Sequence, residues 1–61
     1  MIAFVEERGG VFWVYDQNKR ILFNHRGDEL MGYTGSSVTI RSGSHIVTYN
    51  DQNQIIANRS I

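Results

Sequence analysis

The chain has 61 residues, no cysteine and no proline, and six basic side chains balance six acidic ones. Without cysteine, neither a disulfide nor a thiolate zinc cluster can hold the fold together. Without net charge, no overall field attracts nucleic acid or acidic lipid, and the length predicts one small β domain over residues 1–61.

Turn-forming residues recur at short, regular intervals along the chain. Between them lie seven runs rich in β-branched and aromatic residues: IAFVEE, VFWVYD, RILFNH, ELMGYT, VTIR, HIVTYN and QIIANR. The stretch GDELMGYTG could begin a helix at Asp28, but Gly32, Tyr33 and Thr34 disfavour one. The pattern predicts an all-β fold, an antiparallel meander of about six or seven short strands that forms a small sheet or a partly closed barrel.

The second predicted strand is apolar on both faces, which a single sheet cannot bury. Residues 11–15 (VFWVY) are apolar at every position, whereas VTIR alternates, with Val38 and Ile40 on one face. We therefore expect barrel closure or a partner subunit to cover the second face, and we predict a homo-oligomer. The alternative is that Trp13 and Phe23 are half-exposed surface aromatics.

The chain contains an internal repeat at an offset of 34 residues. VYDQNKRILFN (14–24) returns as TYNDQNQIIAN (48–58), and each copy reads as strand, polar loop and strand. We interpret the repeat as one hairpin used twice, over residues 11–27 and 45–61.

The two loops of the repeat carry the residues that type I turns favour. Asp16 and Asn50 can accept backbone N–H bonds at the start of each loop. Asn53 suits a left-handed conformation at the end of the second loop, because asparagine tolerates positive φ. Its counterpart Lys19 suits it less well, so we expect Asn18 to take that conformation in the first loop.

These segments resemble a known type of repeat. VYDQNKRI and TYNDQNQI resemble the Y-D-x-x-G-x-x-I hairpin units of small or repetitive bacterial β proteins. The stretch GYTGSSVTIRSGSHIVTYNDQNQIIANRS is similar to short uncharacterised bacterial and prophage proteins. Both copies lack the loop glycine of the unit. The resemblance implies β architecture and a mobile-element origin, and it implies no activity.

Side chains that could support catalysis or bind a metal are few and dispersed. His25 near Asp28 could act as a general base, and His45 follows Ser44, but we expect both histidines in solvated turns. The carboxylates of Glu6, Glu7, Asp28 and Glu29 fall in separate turns without metal-loop spacing. We predict a protein that is not an enzyme and that uses no cofactor and no metal.

Targeting signals are also missing from the pattern. MIAFVEERGG does not read as a signal peptide, and no apolar run approaches the ~18 residues of a membrane helix. We therefore expect a cytoplasmic protein with no membrane partner. The tripeptide RGD at 26–28 matches an integrin ligand by letter, but we interpret it as an ordinary turn.

The first copy of the repeat is the more aromatic and more basic one, and it holds the candidate interface or binding residues. These are Trp13, Tyr15, Lys19, Arg20, Phe23 and Arg26. The expected core and interface side chains are Trp13, Tyr15, Phe23, Ile21 and Ile56. The leading hypothesis is a non-catalytic module that acts through protein–protein contacts.

Two alternatives remain open on the sequence. One is a single-stranded nucleic-acid binder that stacks bases on these aromatics beside Arg20, Arg26 and Arg41. The other, favoured only by the prophage resemblance, is an inhibitor of a host protein.

Overall fold

The computed structural model describes residues 1–60, which contain seven strands and no helix, and it confirms the all-β prediction. The strands are β1 (Ile2–Arg8), β2 (Val11–Asp16), β3 (Ile21–Arg26), β4 (Glu29–Tyr33), β5 (Ser37–Ser42), β6 (His45–Asn50) and β7 (Ile55–Ser60). Tight turns at Gly9-Gly10 and at Gly43, where all three glycines have positive φ, close two of the hairpins.

The strands form two antiparallel sheets rather than a closed barrel. The first sheet has the order β1-β2-β3 and the second the order β4-β5-β6-β7, so within each sheet every strand pairs with its neighbour in sequence. The connection Gly27-Asp28 joins the two sheets. The meander is therefore confirmed, and its two parts pack face to face.

The core lies between the sheets. Its buried side chains are Ile2, Phe12, Val14 and Phe23 from the first sheet and Val38 and Ile40 from the second. Val14 and Val38 are completely buried. The predicted alternation of VTIR is confirmed, because Val38 and Ile40 point inward while Thr39 and Arg41 lie on the other face.

Both repeat loops have the same conformation, although the sequence predicted a different left-handed residue in the first. The side-chain Oδ1 of Asp16 accepts N–H bonds from Asn18 and Arg20 at 2.8 and 2.9 Å. Asn50 does the same at the second loop. The left-handed residue of the first loop is Lys19, with φ 64°, so the expectation for Asn18 was wrong.

The wrong assignment has a geometric cause. Each loop closes with a bond from the fourth residue back to the first, from Lys19 N to Asp16 O and from Asn53 N to Asn50 O, both at 3.1 Å. A strand bulge follows at the same point in both hairpins. The turn therefore fixes the place of positive φ, and the residue type there has to accept it.

The repeat extends beyond the hairpin that the sequence indicated. In β2 and β3 Val14 lies opposite Phe23, and 34 residues later Thr48 lies opposite Ala57. Strands β1 and β5 keep the same offset against β2 and β6 over most of their length. The repeating unit is thus a three-stranded meander, β1–β3 and again β5–β7, with β4 as an additional strand.

The two copies of this unit turn opposite faces toward the core. Phe12 points inward, whereas its counterpart Ile46 points outward, and Trp13 points outward whereas Val47 points inward. We call the side that carries Phe12 or Ile46 the front of a unit and the side that carries Trp13 or Val47 its back. The core therefore forms where the front of the first sheet packs on the back of the second.

His25 is part of this packing, which corrects the expectation of a solvated turn. It lies opposite Phe12 on the inner face of β3 and stacks on Tyr49 of the other sheet, with ring centroids 3.8 Å apart. Its Nε2 is also 2.5 Å from Oδ1 of Asn53. Strand β3 extends to Arg26, one residue beyond the predicted run RILFNH, so His25 lies within the strand and faces inward.

Candidate interaction face

The outer side of the first sheet carries most of the aromatic side chains that do not enter the core. Cross-strand register arranges it in three rows: Phe4, Tyr15 and Ile21; Glu6, Trp13 and Asn24; and Arg8, Val11 and Arg26. We call this surface the aromatic face. It is the back of the first repeat unit.

The first row contains a stacked aromatic pair. The rings of Phe4 and Tyr15 lie 4.5 Å apart at an interplanar angle of 13°. The Tyr15 hydroxyl donates to Oε1 of Glu6 at 3.1 Å, and Arg8 Nη2 lies 2.7 Å from the same oxygen. Burial raises the pKa of the Tyr15 phenol, and the bond to Glu6 raises it further. The row is therefore ordered before any partner arrives.

Trp13 occupies the middle of the aromatic face. It lies between Glu6 on β1 and Asn24 on β3, and it is only half-buried. Its cross-strand neighbours are a charged and a polar side chain, and part of the Trp13 surface is accessible to solvent. Trp13 and Tyr15 thus lie together on the aromatic face.

The other four candidate residues lie in the core or at the ends of the aromatic face. Phe23 is a core residue with 8% of its surface exposed. Lys19 and Arg20 are exposed in the β2–β3 loop, at the Tyr15 end of the face. Arg26 lies at the opposite end, opposite Val11. The candidate cations therefore flank the aromatic face at its two ends and do not form a continuous strip.

Two further residues from the sequence hypotheses are separated from this surface. Arg41 lies on the outer side of the second sheet, where its Nε is 3.1 Å from Glu29. Ile56 is 57% exposed on β7, in the second sheet. Ile21, by contrast, lies opposite Tyr15 and is 53% exposed, so it extends the apolar part of the aromatic face.

Sequence reasoning missed Phe4 and Glu6. The run IAFVEE does not show which face is buried, because Phe4 and Val5 are adjacent and both apolar. The available signal was the repeat, since Phe4 is the counterpart of Val38 at the same offset as Trp13 and Val47.

The outer side of the second sheet is smoother and more polar. Its side chains are Arg41, Ile46, Thr39, Thr48, Ala57 and Arg59, and we call it the threonine face. The hydroxyls of Thr39 and Thr48 are 2.9 Å apart. Around them lies a shallow depression of about 250 Å³, bordered also by Ala57 and Arg59. The threonine face is the front of the second repeat unit.

Residues 1–60 hold no group of three or more histidine or acidic side chains that could bind a metal ion. Over the same span, no helix is long and apolar enough to cross a membrane. Comparisons with protein-family models, with curated proteins and with solved structures found no match to this chain. The two outer faces are the surfaces of this chain that a partner could contact.

Proposed function

We propose that this protein is a non-catalytic β module that acts through protein–protein contacts and works as a homo-oligomer. The observation that carries the proposal is the aromatic face, where Phe4, Trp13, Tyr15 and Ile21 lie together on the outside of a very small molecule. Tryptophan and tyrosine are the side chains that contribute most binding energy at protein interfaces.

The arrangement of polar groups supports the same function. Glu6 and Arg8 pair with each other within the aromatic face, and Arg26 lies at its edge. Apolar centres with charged margins are typical of protein interfaces. The resemblance to prophage proteins adds a mobile-element origin to this proposal.

Sedimentation of the wild-type chain tests the proposal. We expect the average mass to exceed that of a monomer between roughly 10 and 100 µM, the range in which weak specific self-association appears. A folded monomer throughout this range would overturn the homo-oligomer. Detergent-free gel filtration with light scattering gives an independent mass.

Single-stranded nucleic-acid binding is the second candidate, favoured by the position of Trp13 between basic ends. Stacked bases would quench Trp13 fluorescence, and the binding would weaken steeply as salt rises. Lys19 and Arg26 lie at opposite ends of the aromatic face, so they do not form the continuous row of cations that a nucleic-acid backbone would follow. Absence of quenching by a dT oligonucleotide at low salt would eliminate this candidate.

A further inference from the structure

The two outer faces of the molecule have counterparts that already pack together inside it. The core joins the front of the first repeat unit to the back of the second. The aromatic face is the back of the first unit, and the threonine face is the front of the second. We propose, on the basis of the proposed self-association, that the aromatic face of one copy packs on the threonine face of the next, head to tail.

Side-chain size inside the chain follows a simple division. The front of the first unit contributes the large residues Phe12 and Phe23 to the core. The back of the second unit meets them with the smaller Val38 and Ile40, and the half-buried Val47 lies on the same side. Close packing needs the summed volume of facing side chains to stay near a fixed value, so large residues face small ones.

The outer faces reverse this division, as a second interface of the same kind requires. On the threonine face the counterparts of Phe12 and Phe23 are Ile46 and Ala57, and the depression of about 250 Å³ lies among them. On the aromatic face the counterparts of Val38 and Val47 are Phe4 and Trp13. The small side chains of the threonine face therefore leave space, and the large side chains of the aromatic face on another copy fill it.

Charge changes in the same complementary way. Within the chain, His25 of the front stacks on Tyr49 of the back. The outer counterparts are Arg59 and Tyr15, and a guanidinium on a tyrosine ring is a favourable cation–π pair. Glu6 lies beside Tyr15, and Arg59 has no ion pair within residues 1–60. Arg59 of one copy thus meets both a ring and a carboxylate on the next.

The proposed contact of Lys19 with Arg59 of the next copy is unfavourable, and it provides a gain-of-affinity test. Asn53, which bonds His25 inside the chain, has Lys19 as its outer counterpart, and Lys19 then lies near Arg59 of the next copy. We expect Lys19→Asn to tighten self-association about threefold, since it removes one like-charge pair. Unchanged or weaker association would contradict this alignment of the two faces.

The proposed contact is heterologous, so each copy keeps one unused face after binding another. Such contacts extend into open chains or close into rings, unlike a symmetric dimer. This difference allows two surface variants to report on the geometry. Asn24 is exposed beside Trp13 on the aromatic face, and Ala57 is exposed on the threonine face.

The experiment measures the sedimentation of Asn24→Arg and Ala57→Arg, alone and mixed. Each variant blocks one face, and we expect each to associate at least about tenfold more weakly than wild type. An equimolar mixture restores a strong contact between the two intact faces, in complexes of one copy of each variant. Ser36→Arg in the exposed β4–β5 turn, outside both faces, is the matched control and leaves association unchanged.

Other outcomes overturn the inference in distinguishable ways. If only Asn24→Arg weakens association, the aromatic faces meet each other symmetrically, and the proposed function survives without the head-to-tail contact. If neither variant has an effect on an assembling wild type, both faces are excluded. If wild type is monomeric, the self-association itself fails. Far-UV circular dichroism verifies folding, and Ile21→Arg on the same face replaces Asn24→Arg if that variant unfolds.

Discussion

Lys19 is the least favourable residue in the chain for its backbone conformation. Its φ of 64° lies in the left-handed region, which costs a residue with a Cβ atom about 1–2 kcal/mol. The position is the one that glycine occupies in the resembling Y-D-x-x-G-x-x-I unit. Asn53, its counterpart, has φ 65° but is a residue that tolerates this region.

We expect Lys19→Gly to raise the free energy of unfolding by about 0.5–1 kcal/mol, because relief of strain exceeds the entropy that glycine adds to the unfolded chain. Asn53→Gly is the matched variant and should change stability less. Urea unfolding of both gives the comparison. A loss of stability in Lys19→Gly would show that the lysine side chain contributes more than its strain.

Asp16 and Asn50 perform the same task with and without charge, so the two loops provide their own pH control. The backbone N–H of Arg20 lowers the pKa of Asp16 below its ordinary 3.8, against an opposing effect of burial, and the N–H of Asn18 lowers it further. A depressed carboxyl pKa adds stability above the unfolded value, and this stability is lost as the pH falls through the folded pKa.

As the pH decreases below 4, we expect the melting temperature of wild type to decrease more steeply than that of Asp16→Asn. The asparagine keeps the loop bonds but does not titrate. The reverse change, Asn50→Asp, should add a second acid-dependent loss. Thermal unfolding between pH 2 and 6 measures the effects of both substitutions, because this range includes the pKa of an aspartate. Identical pH profiles for wild type and Asp16→Asn would refute the role of the Asp16 charge.

At the level of elements, the corner between β3 and β4 is tightly packed. A Cβ atom on Gly27 would clash with Cγ2 of Ile40 and lie 3.1 Å from both Phe12 Cε2 and the Arg41 carbonyl. Asp28 next to it accepts a 2.6 Å bond from the Gly43 N–H. The RGD tripeptide is thus an internal corner whose glycine allows the sheets to meet.

We expect Gly27→Ala to lower the free energy of unfolding by about 1–3 kcal/mol through overpacking. Ile40→Leu removes the clashing methyl at similar volume, so Gly27→Ala should cost less in that background. Denaturant unfolding of the double-mutant cycle measures the coupling. Additive effects of the two substitutions would show that the loss of stability in Gly27→Ala does not come from the contact with Ile40.

Strand positions and turn chemistry could be predicted from the sequence, because turn residues and β-branched runs alternate throughout. The inward face of β2 could not, because Phe12 and Val14 are as apolar as Trp13 and Tyr15. Similarity between the repeats indicates register but not which face meets the core. The aromatic face therefore emerged only from the packing of two sheets that present opposite sides.

For the molecule as a whole, the proposed self-association through Trp13 predicts that stability depends on protein concentration. A contact made only by folded copies stabilises the fold by mass action. We expect the apparent stability of wild type to rise with protein concentration, and that of Trp13→Ala to stay constant. Denaturant unfolding monitored by circular dichroism at several concentrations checks this.

The control for this experiment is a core variant. Phe12→Leu, at a position 4% exposed, should lower stability by about 1–2 kcal/mol at every concentration and keep the concentration dependence. If the stability of wild type does not vary with concentration, Trp13 makes no contact between copies that supports folding.

The strictly sequential strand order has a kinetic consequence. Each ladder joins strands that follow one another in the chain, so its formation closes only a short loop. Contacts between distant positions, such as His25 with Tyr49, arise only when the sheets dock. Folding rates fall as contacts become more distant in sequence, and most β proteins are slow for that reason. This chain restricts its long-range search to a single docking event about the Gly27 corner, so it should fold quickly for a protein made only of strands.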